Sequence, residues 1–256
     1  MSIHETAIVD KKAKIGKNVY VGPFSIIQGR VKIGDNTKIG SNVLIKDFSD
    51  IGSNCNIFNG AVIGELPMDL KFEGEKSKMI VGNNTTIREF CTLHRGTKDR
   101  GFTKVGSNCL LMSYVHIAHD VIVGDNVIVS ISVNIAGHVE IDDFATIGGC
   151  TPVHQFCKIG KYAFIGGGRV VLKDVPPYIL ATGEPIRYAG VNTVGLKRKH
   201  FSADTIKKIK RVYSLIYQSK YNLSQAIDQV ERKFDLTNNE INIILNFIKK
   251  SDRGIV

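Results

Sequence analysis

The chain has 256 residues, a formal net charge of +10, 43% hydrophobic residues and no tryptophan. That is room for one large domain, or a large and a small one, and no apolar run reaches the length of a membrane span. The opening Met1-Ser2-Ile3-His4-Glu5 lacks the apolar stretch of a signal peptide, and five cysteines without a CxxC fit neither a disulfide framework nor a zinc or redox motif, so a cytoplasmic protein is expected.

One repeat organises the first two thirds. Every sixth residue from Ile3 to Val171 is Ile, Leu or Val at 26 of 29 positions, and only Asp69, Glu75 and Asp99 break the series. Glycine often follows, as at Gly16, Gly34, Gly52, Gly82, Gly106 and Gly124. Four residues after each apolar position comes a small or β-branched one, such as Ala7, Val19, Thr37, Ala61, Val121 and Ala163. Neither a helix (period 3.6) nor an ordinary strand (period 2) yields a period of six. The pattern predicts a parallel β-helix of hexapeptides over 1–177, with three hexads per coil and residues 18 apart stacked about 4.8 Å from one another. Two insertions, at about 65–80 and 98–104, leave the register intact on either side. Pro176-Pro177 ends the stack, because proline cannot donate to another rung. Cys55, Cys91, Cys109 and Cys157 take the small interior slot, and Cys150 does not.

Residues 178–200 read as a connecting segment punctuated by glycine and proline, and 201–256 as a basic α-helical domain. Ser202 can cap a helix bearing Ile206, Ile209, Val212, Tyr213 and Ile216 on one face. A second helix starts near Asn222–Gln225, and Thr237-Asn238-Asn239-Glu240 reads as the capping box of a third. Residues 187–256 hold 14 Lys or Arg against 6 Asp or Glu, which is +8 of the total +10. No aromatic-interleaved nucleic-acid module accompanies this charge. An acidic protein or a phosphorylated ligand is the expected partner.

Residues that break a scaffold's pattern are where chemistry is expected. In His116-Ile117-Ala118-His119-Asp120, alanine takes the usual place of glycine, and two histidines and a carboxylate flank an interior isoleucine. Eighteen residues on come Gly137 and His138, and eighteen further His154 and Gln155. His119, Gly137 and Gln155 should therefore stack along one edge, with His138 and His154 beside them. A solvated surface histidine is the plain reading for His4 and His200, and His94 stays open between the two. Four of seven histidines on one strip call for another explanation. His119 beside Asp120 is the candidate general base. Neighbours on a flat strand point to opposite faces, so Asp120 can orient His119 only at a coil corner. Gly137 can offer its N–H to an oxyanion. With no serine or cysteine nucleophile alongside, direct acyl transfer follows. A zinc centre of His116, His119 and His138 is the chemical rival, although solenoid carbonic anhydrases space two ligands as H-x-x-x-x-H. No metal is expected. A non-catalytic hexapeptide scaffold also fits the repeat.

The motifs H-I-A-H-D (116–120), A-G-H-V (136–139), V-H-Q-F (153–156) and D-V-P-P-Y (174–178) resemble those of the UDP-N-acetylglucosamine O-acyltransferases. D-L-K-F-E-G-E (69–75), I-R-E (87–89), H-R-G-T (94–97) and the G-L-K-R at 195–198 extend the resemblance over the whole chain. It implies a homotrimer of left-handed β-helices with active sites between subunits and no cofactor. The implied reaction moves a 3-hydroxyacyl chain from acyl carrier protein to the 3-hydroxyl of UDP-N-acetylglucosamine, the first step of lipid A synthesis. By the same resemblance His119 is the base, Asp120 its partner and Gly137 the oxyanion donor. His116, His138, His154 and Gln155 would contact sugar nucleotide or donor, Asp69 and Lys71 would reach substrate from the first insertion, and Asn192, Arg198 and Lys199 would hold phosphates. Acyl carrier protein, being acidic, would suit the basic tail. Met68 stands where the family usually shows Gln, and Val194 where some members carry an acid. The related N-acyltransferases share the solenoid but carry an extra N-terminal domain, whereas hexads here begin at Ile3. Gly166-Gly167-Gly168 falls on the hexad register and opens no helix, so it reads as room for an acyl chain rather than a phosphate loop.

Overall fold

The computed structural model describes residues 2–256. The hexads form a left-handed parallel β-helix of short strands, most of two residues, stacked into one 11-stranded and two 8-stranded sheets. The repeat sets this geometry residue by residue. The hexad Ile, Val or Leu points inward and is buried from Val21 onward, whereas Ile3, Val9 and Ile15 of the first coil have no coil below them and are partly exposed. The small slot fills the remaining interior. Where it is Ser25, Thr37 or Thr85, the buried hydroxyl donates to the carbonyl of Gly40, Gly52 or Gly106, whereas that of Ser49 has no partner.

Three residues after most hexad positions the chain turns a corner in the left-handed region, with φ between 54° and 68° at non-glycine residues from Asn18 to Phe156. Asparagine tolerates this conformation, but Phe48, Phe90, Tyr114, Phe144 and Phe156 also adopt it. Stacking supports several of these: the Phe90 and Tyr114 rings are 5.3 Å apart, and Phe144 and Tyr162 are 4.7 Å apart.

Both insertions preserve the register for a simple reason. Ile57 pairs with Ile87, 30 residues on, and Ile87 pairs with Leu111, 24 residues on. The excesses over 18 are 12 and 6, whole hexads in each case. Their limits differ from those the sequence suggests, the first being narrower and the second lying three residues earlier. Strands Val62–Glu65 and Lys78–Val81 bound a loop of 66–77, and strands Thr92–His94 and Phe102–Val105 bound a turn of 95–101. Residues 78–80 and 102–104 join the ladder because each pairs with the coil beside it.

Beyond Pro177 the structure departs further from a plain connector. Strand Ile179–Thr182 continues the 11-stranded sheet, and Arg187–Val191 folds back antiparallel along it. Helix α1, Thr193–Arg198, follows, with the Asn192 side chain accepting from Gly195 N–H. Helices α2 (Ala203–Gln218), α3 (Leu223–Lys233) and α4 (Asn239–Lys249) come next. Ser202 caps α2, and the capping box belongs to α3, between Asn222 and Gln225. At α4 the cap is Asn238 rather than Thr237, whose N–H and hydroxyl are taken by Asp235 in the preceding turn. The apolar faces of the helices cover the end of the stack, where the buried Tyr213 hydroxyl donates to the Pro177 carbonyl at 2.5 Å. No helix is long and apolar enough to cross a membrane among the described residues.

Candidate active site

Strand His116–Ile117 leads into a corner at Asp120, where φ is 59°. The left-handed corner breaks the in–out alternation of the strand, and this brings the two neighbouring side chains together: His119 Nδ1 lies 2.9 Å from Asp120 Oδ2. Asp120 is fully buried. Burial works to raise its pKa, but hydrogen bonds from His119 and Thr97 outweigh that and hold it at about 2. The carboxylate is therefore an anion near neutrality and an acceptor only. His119 then carries its proton on Nδ1, and the lone pair of Nε2 is free. No hydrogen bond occupies Nε2 among the described residues, and that atom lies against Gly137 of the next coil.

Gly137, at the equivalent position one coil on, makes no hydrogen bond through its N–H among the described residues, while its carbonyl accepts from Phe156 N–H. Next to it His138 occupies the corner, with φ 63°, and its ring stacks on Phe156, the corner residue of the following coil, at 4.5 Å. The same ring meets His119 edge-on at 5.2 Å. His138 Nδ1 is 3.2 Å from Asp99 Oδ2, and its Nε2 is 3.8 Å from Asp120 Oδ2. His119, Asp120 and His138 thus present three potential ligand atoms within 4.8 Å of one another, the one set in the described residues that could hold a metal ion.

His116 lies on the outward face of its strand, with Nδ1 2.8 Å from Thr92 Oγ1 and its ring edge-on to His94 at 4.9 Å. Burial pushes its pKa down to about 4, so it is a neutral hydrogen-bonding group near pH 7. His94 is buried, its Nδ1 has no partner, and burial lowers its pKa against the pull of Glu65. His154 and Gln155 are exposed, the His154 Nδ1 lying 3.1 Å from the Gln155 carbonyl oxygen. A groove of about 490 Å³ is lined by His116, His119, Gly137, His154 and Gln155. Met68, Ala118, Ala136, Pro152, Val170 and Leu172 supply the apolar part of its lining. Such a trough suits a hydrocarbon chain, and its one catalytic-type dyad faces a backbone donor.

The other sequence-nominated residues lie elsewhere. Asp69 and Lys71 sit on the loop 66–77, where the Asp69 carboxylate accepts from Lys71 N–H at 3.0 Å, and it is Met68 of that loop that reaches the groove. Asn192, Arg198 and Lys199 line a second cavity of about 550 Å³ over the 11-stranded sheet, with Phe144, Tyr162 and Phe164. Both groups of the Asn192 amide are engaged, by Gly195 N–H and by the Tyr162 carbonyl. Arg198 is exposed and makes no ion pair among the described residues, and Lys199 Nζ stands 5.0 Å over the Phe144 ring. The histidine strip and this cavity lie on different sheets of the same prism.

Comparison with known proteins decides the lineage. The profile of UDP N-acetylglucosamine O-acyltransferase, domain 2, matches residues 174–256, and that of the bacterial transferase hexapeptide matches 12–47 and 102–130. An acyl-[acyl-carrier-protein]–UDP-N-acetylglucosamine O-acyltransferase of Thiobacillus denitrificans is 44% identical over 256 residues, 100% of this chain and 99% of that one. Its counterpart in Herminiimonas arsenicoxydans is 46% identical, covering 99% of this chain and 98% of that one. The chain belongs to the acyl-[acyl-carrier-protein]–UDP-N-acetylglucosamine O-acyltransferase family. The crystal structure of a UDP-N-acetylglucosamine acyltransferase from Bacteroides fragilis matches with a TM-score of 0.96 at 46% identity over 99% of both chains. This O-acyltransferase is thus an enzyme whose solenoid and helical region both follow the family.

Sequence reasoning missed three groups at the centre of this O-acyltransferase's site. Thr97 holds Asp120, Asp99 faces His138, and Leu172 lines the groove. Asp99 carried a signal, since it is one of the three lapses in the hexad series. Thr97 closes the H-R-G-T motif at 94–97, but that motif names no partner, and only the folded turn brings it against a residue 23 positions away.

Proposed function

We propose that the protein transfers a 3-hydroxyacyl chain from acyl carrier protein to the 3-hydroxyl of UDP-N-acetylglucosamine, in the cytoplasm, without a cofactor, as the first step of lipid A synthesis. The observation that carries this reading is the His119–Asp120 dyad with its free Nε2 set against Gly137 in an apolar groove.

His119 Nε2 takes the proton of the sugar 3-hydroxyl as that oxygen attacks the thioester carbonyl. The imidazolium formed is stabilised by the anionic Asp120. Negative charge develops on the former carbonyl oxygen and is met by the Gly137 N–H, a donor already fixed in place. Collapse of the tetrahedral intermediate breaks the C–S bond, and the departing phosphopantetheine sulfur takes the proton back from His119. No covalent enzyme intermediate is needed, and no serine, cysteine or lysine lines the groove. Asp69, Lys71, His116, His138, His154 and Gln155 position donor and sugar. The separation of Arg198 and Lys199 from the dyad supports a homotrimer in which one subunit's histidine strip faces the next subunit's phosphate-binding residues. The positive charge of 187–256 favours the acidic carrier protein.

An assay of purified protein with UDP-N-acetylglucosamine against 3-hydroxyacyl carrier proteins of several chain lengths tests this directly. The expected product is the 3-O-acyl sugar nucleotide. No transfer from any donor, or transfer only to a 3-amino analogue, overturns the reading.

A further inference from the structure

The second insertion, residues 95–101, has no part in the steps above, yet it carries a side chain that meets the dyad. We propose that Thr97 is a positioning residue of the acyl transfer, holding Asp120, and through it His119, in the geometry the base requires. This rests on the reading just given.

Thr97 is 5% exposed and donates to both oxygens of Asp120: its N–H lies 3.0 Å from Oδ1 and 3.2 Å from Oδ2, and its hydroxyl donates to Oδ2 at 2.7 Å. His119 Nδ1 shares that same Oδ2 at 2.9 Å. The backbone N–H alone would leave the carboxylate free to rock about its contact. With the hydroxyl added, the carboxylate plane is fixed, and one direction on Oδ2 remains for the imidazole. Thr97 is itself anchored, since its carbonyl accepts from Gly101 N–H at 2.8 Å and its hydroxyl oxygen accepts from Asp99 N–H at 3.3 Å. The adjoining Lys98 N–H donates to the Glu75 carboxylate at 2.9 Å, which pins the turn to the longer loop. Six extra residues in the solenoid thus place a rigid double donor behind the base. A turn needed only for shape would not require a hydroxyl aimed at a buried carboxylate.

The test compares Thr97→Val, which keeps the shape and loses the hydroxyl donor, with Thr97→Ser, which keeps the donor, and Thr97→Cys, a weak donor. Steady-state kinetics are measured with UDP-N-acetylglucosamine and an acyl carrier protein donor, and sugar-nucleotide binding by calorimetry. T97V should lower kcat by about 10- to 100-fold with both KM values and the sugar-nucleotide Kd within twofold, the range expected for loosening a general base. T97S should recover to within threefold of the parent, with T97C between. If T97V fails to fold, the order of T97S and T97C still decides. Equal loss in Ser and Val, a rise in KM at constant kcat, or a T97V rate within twofold of the parent each overturns the proposal. An unmodified protein that transfers no acyl group would instead overturn the reaction assigned above.

Discussion

Gly137 passes so close to the His119 ring that a Cβ built on it would stand 2.7 Å from Cε1 and 2.8 Å from Nε2. The backbone of Gly137 is not in the left-handed region, so glycine is required here for space and not for conformation. Gly137→Ala should therefore fold with a melting temperature near the parent's while the methyl displaces the imidazole. Acyl transfer should fall by at least about 100-fold, the scale of losing a positioned base. A crystal structure of the variant showing His119 unmoved, with full activity, would remove the claim that this approach defines the site.

His116 links the groove to pH. Its folded pKa is about 4 and its unfolded value 6.5, because burial disfavours the charged ring. Above pH 6.5 both states are neutral and the group contributes nothing to pH dependence. As pH falls below 6.5 the unfolded chain binds a proton that the fold does not, so stability is lost, and the loss stops growing below about 4. For a half-buried ring the total is about 2 kcal/mol after allowance for solvent screening. Thermal melts of His116→Asn should show a flatter decline between pH 6.5 and 4 than the parent, and an unchanged slope would contradict this.

Much of the fold was legible because a six-residue spacing fits neither a helix nor an ordinary strand and leaves a parallel β-helix, whose hand came from the resemblance. Counting in eighteens brought His119, Gly137 and Gln155 together, and the ladder pairs Ile117 with Ile135 and Ile135 with Val153 as that count requires. Asp120 was ambiguous, since its orientation depends on a corner that spacing alone does not locate. The loop limits shifted because residues such as Lys78 and Phe102 pair with each other through backbone groups, which are indifferent to side-chain pattern. The strand Arg187–Val191 went unseen for a related reason. It pairs antiparallel along the stack's last strand and follows no hexad. Thr97 and Asp99 reach the dyad across tertiary distance from a turn whose local sequence names no partner.

Arg95 anchors the loop of 66–77. Its side chain is buried, forms no ion pair among the described residues, and places its guanidinium 5.2 Å from the Phe48 ring centre and 5.3 Å from that of Phe72, a loop residue. A desolvated cation between two rings is worth about 2 kcal/mol. Arg95→Met should free the loop, seen as roughly 30-fold faster tryptic cleavage after Lys71 and Lys76. Arg95→Lys should fall between. Cleavage at the parent rate would assign the loop's order to Glu75 and backbone contacts alone.

The placement of the dyad and of Arg198 on different sheets predicts complementation between subunits. His119→Ala and Arg198→Ala chains, each nearly inactive alone, should regain a measurable fraction of parental activity when co-expressed and purified as mixed oligomers. In each mixed assembly some interfaces pair an intact histidine strip with an intact arginine. Mixed oligomers as inactive as either variant would place both residues in one subunit's site.

The central claim is that His119 is the base of an acyl transfer, and the rate of His119→Ala with UDP-N-acetylglucosamine and a 3-hydroxyacyl carrier protein tests it most directly. The account predicts a fall in kcat of about 100- to 10,000-fold with sugar-nucleotide binding retained. A variant that transfers acyl groups at close to the parental rate would contradict it.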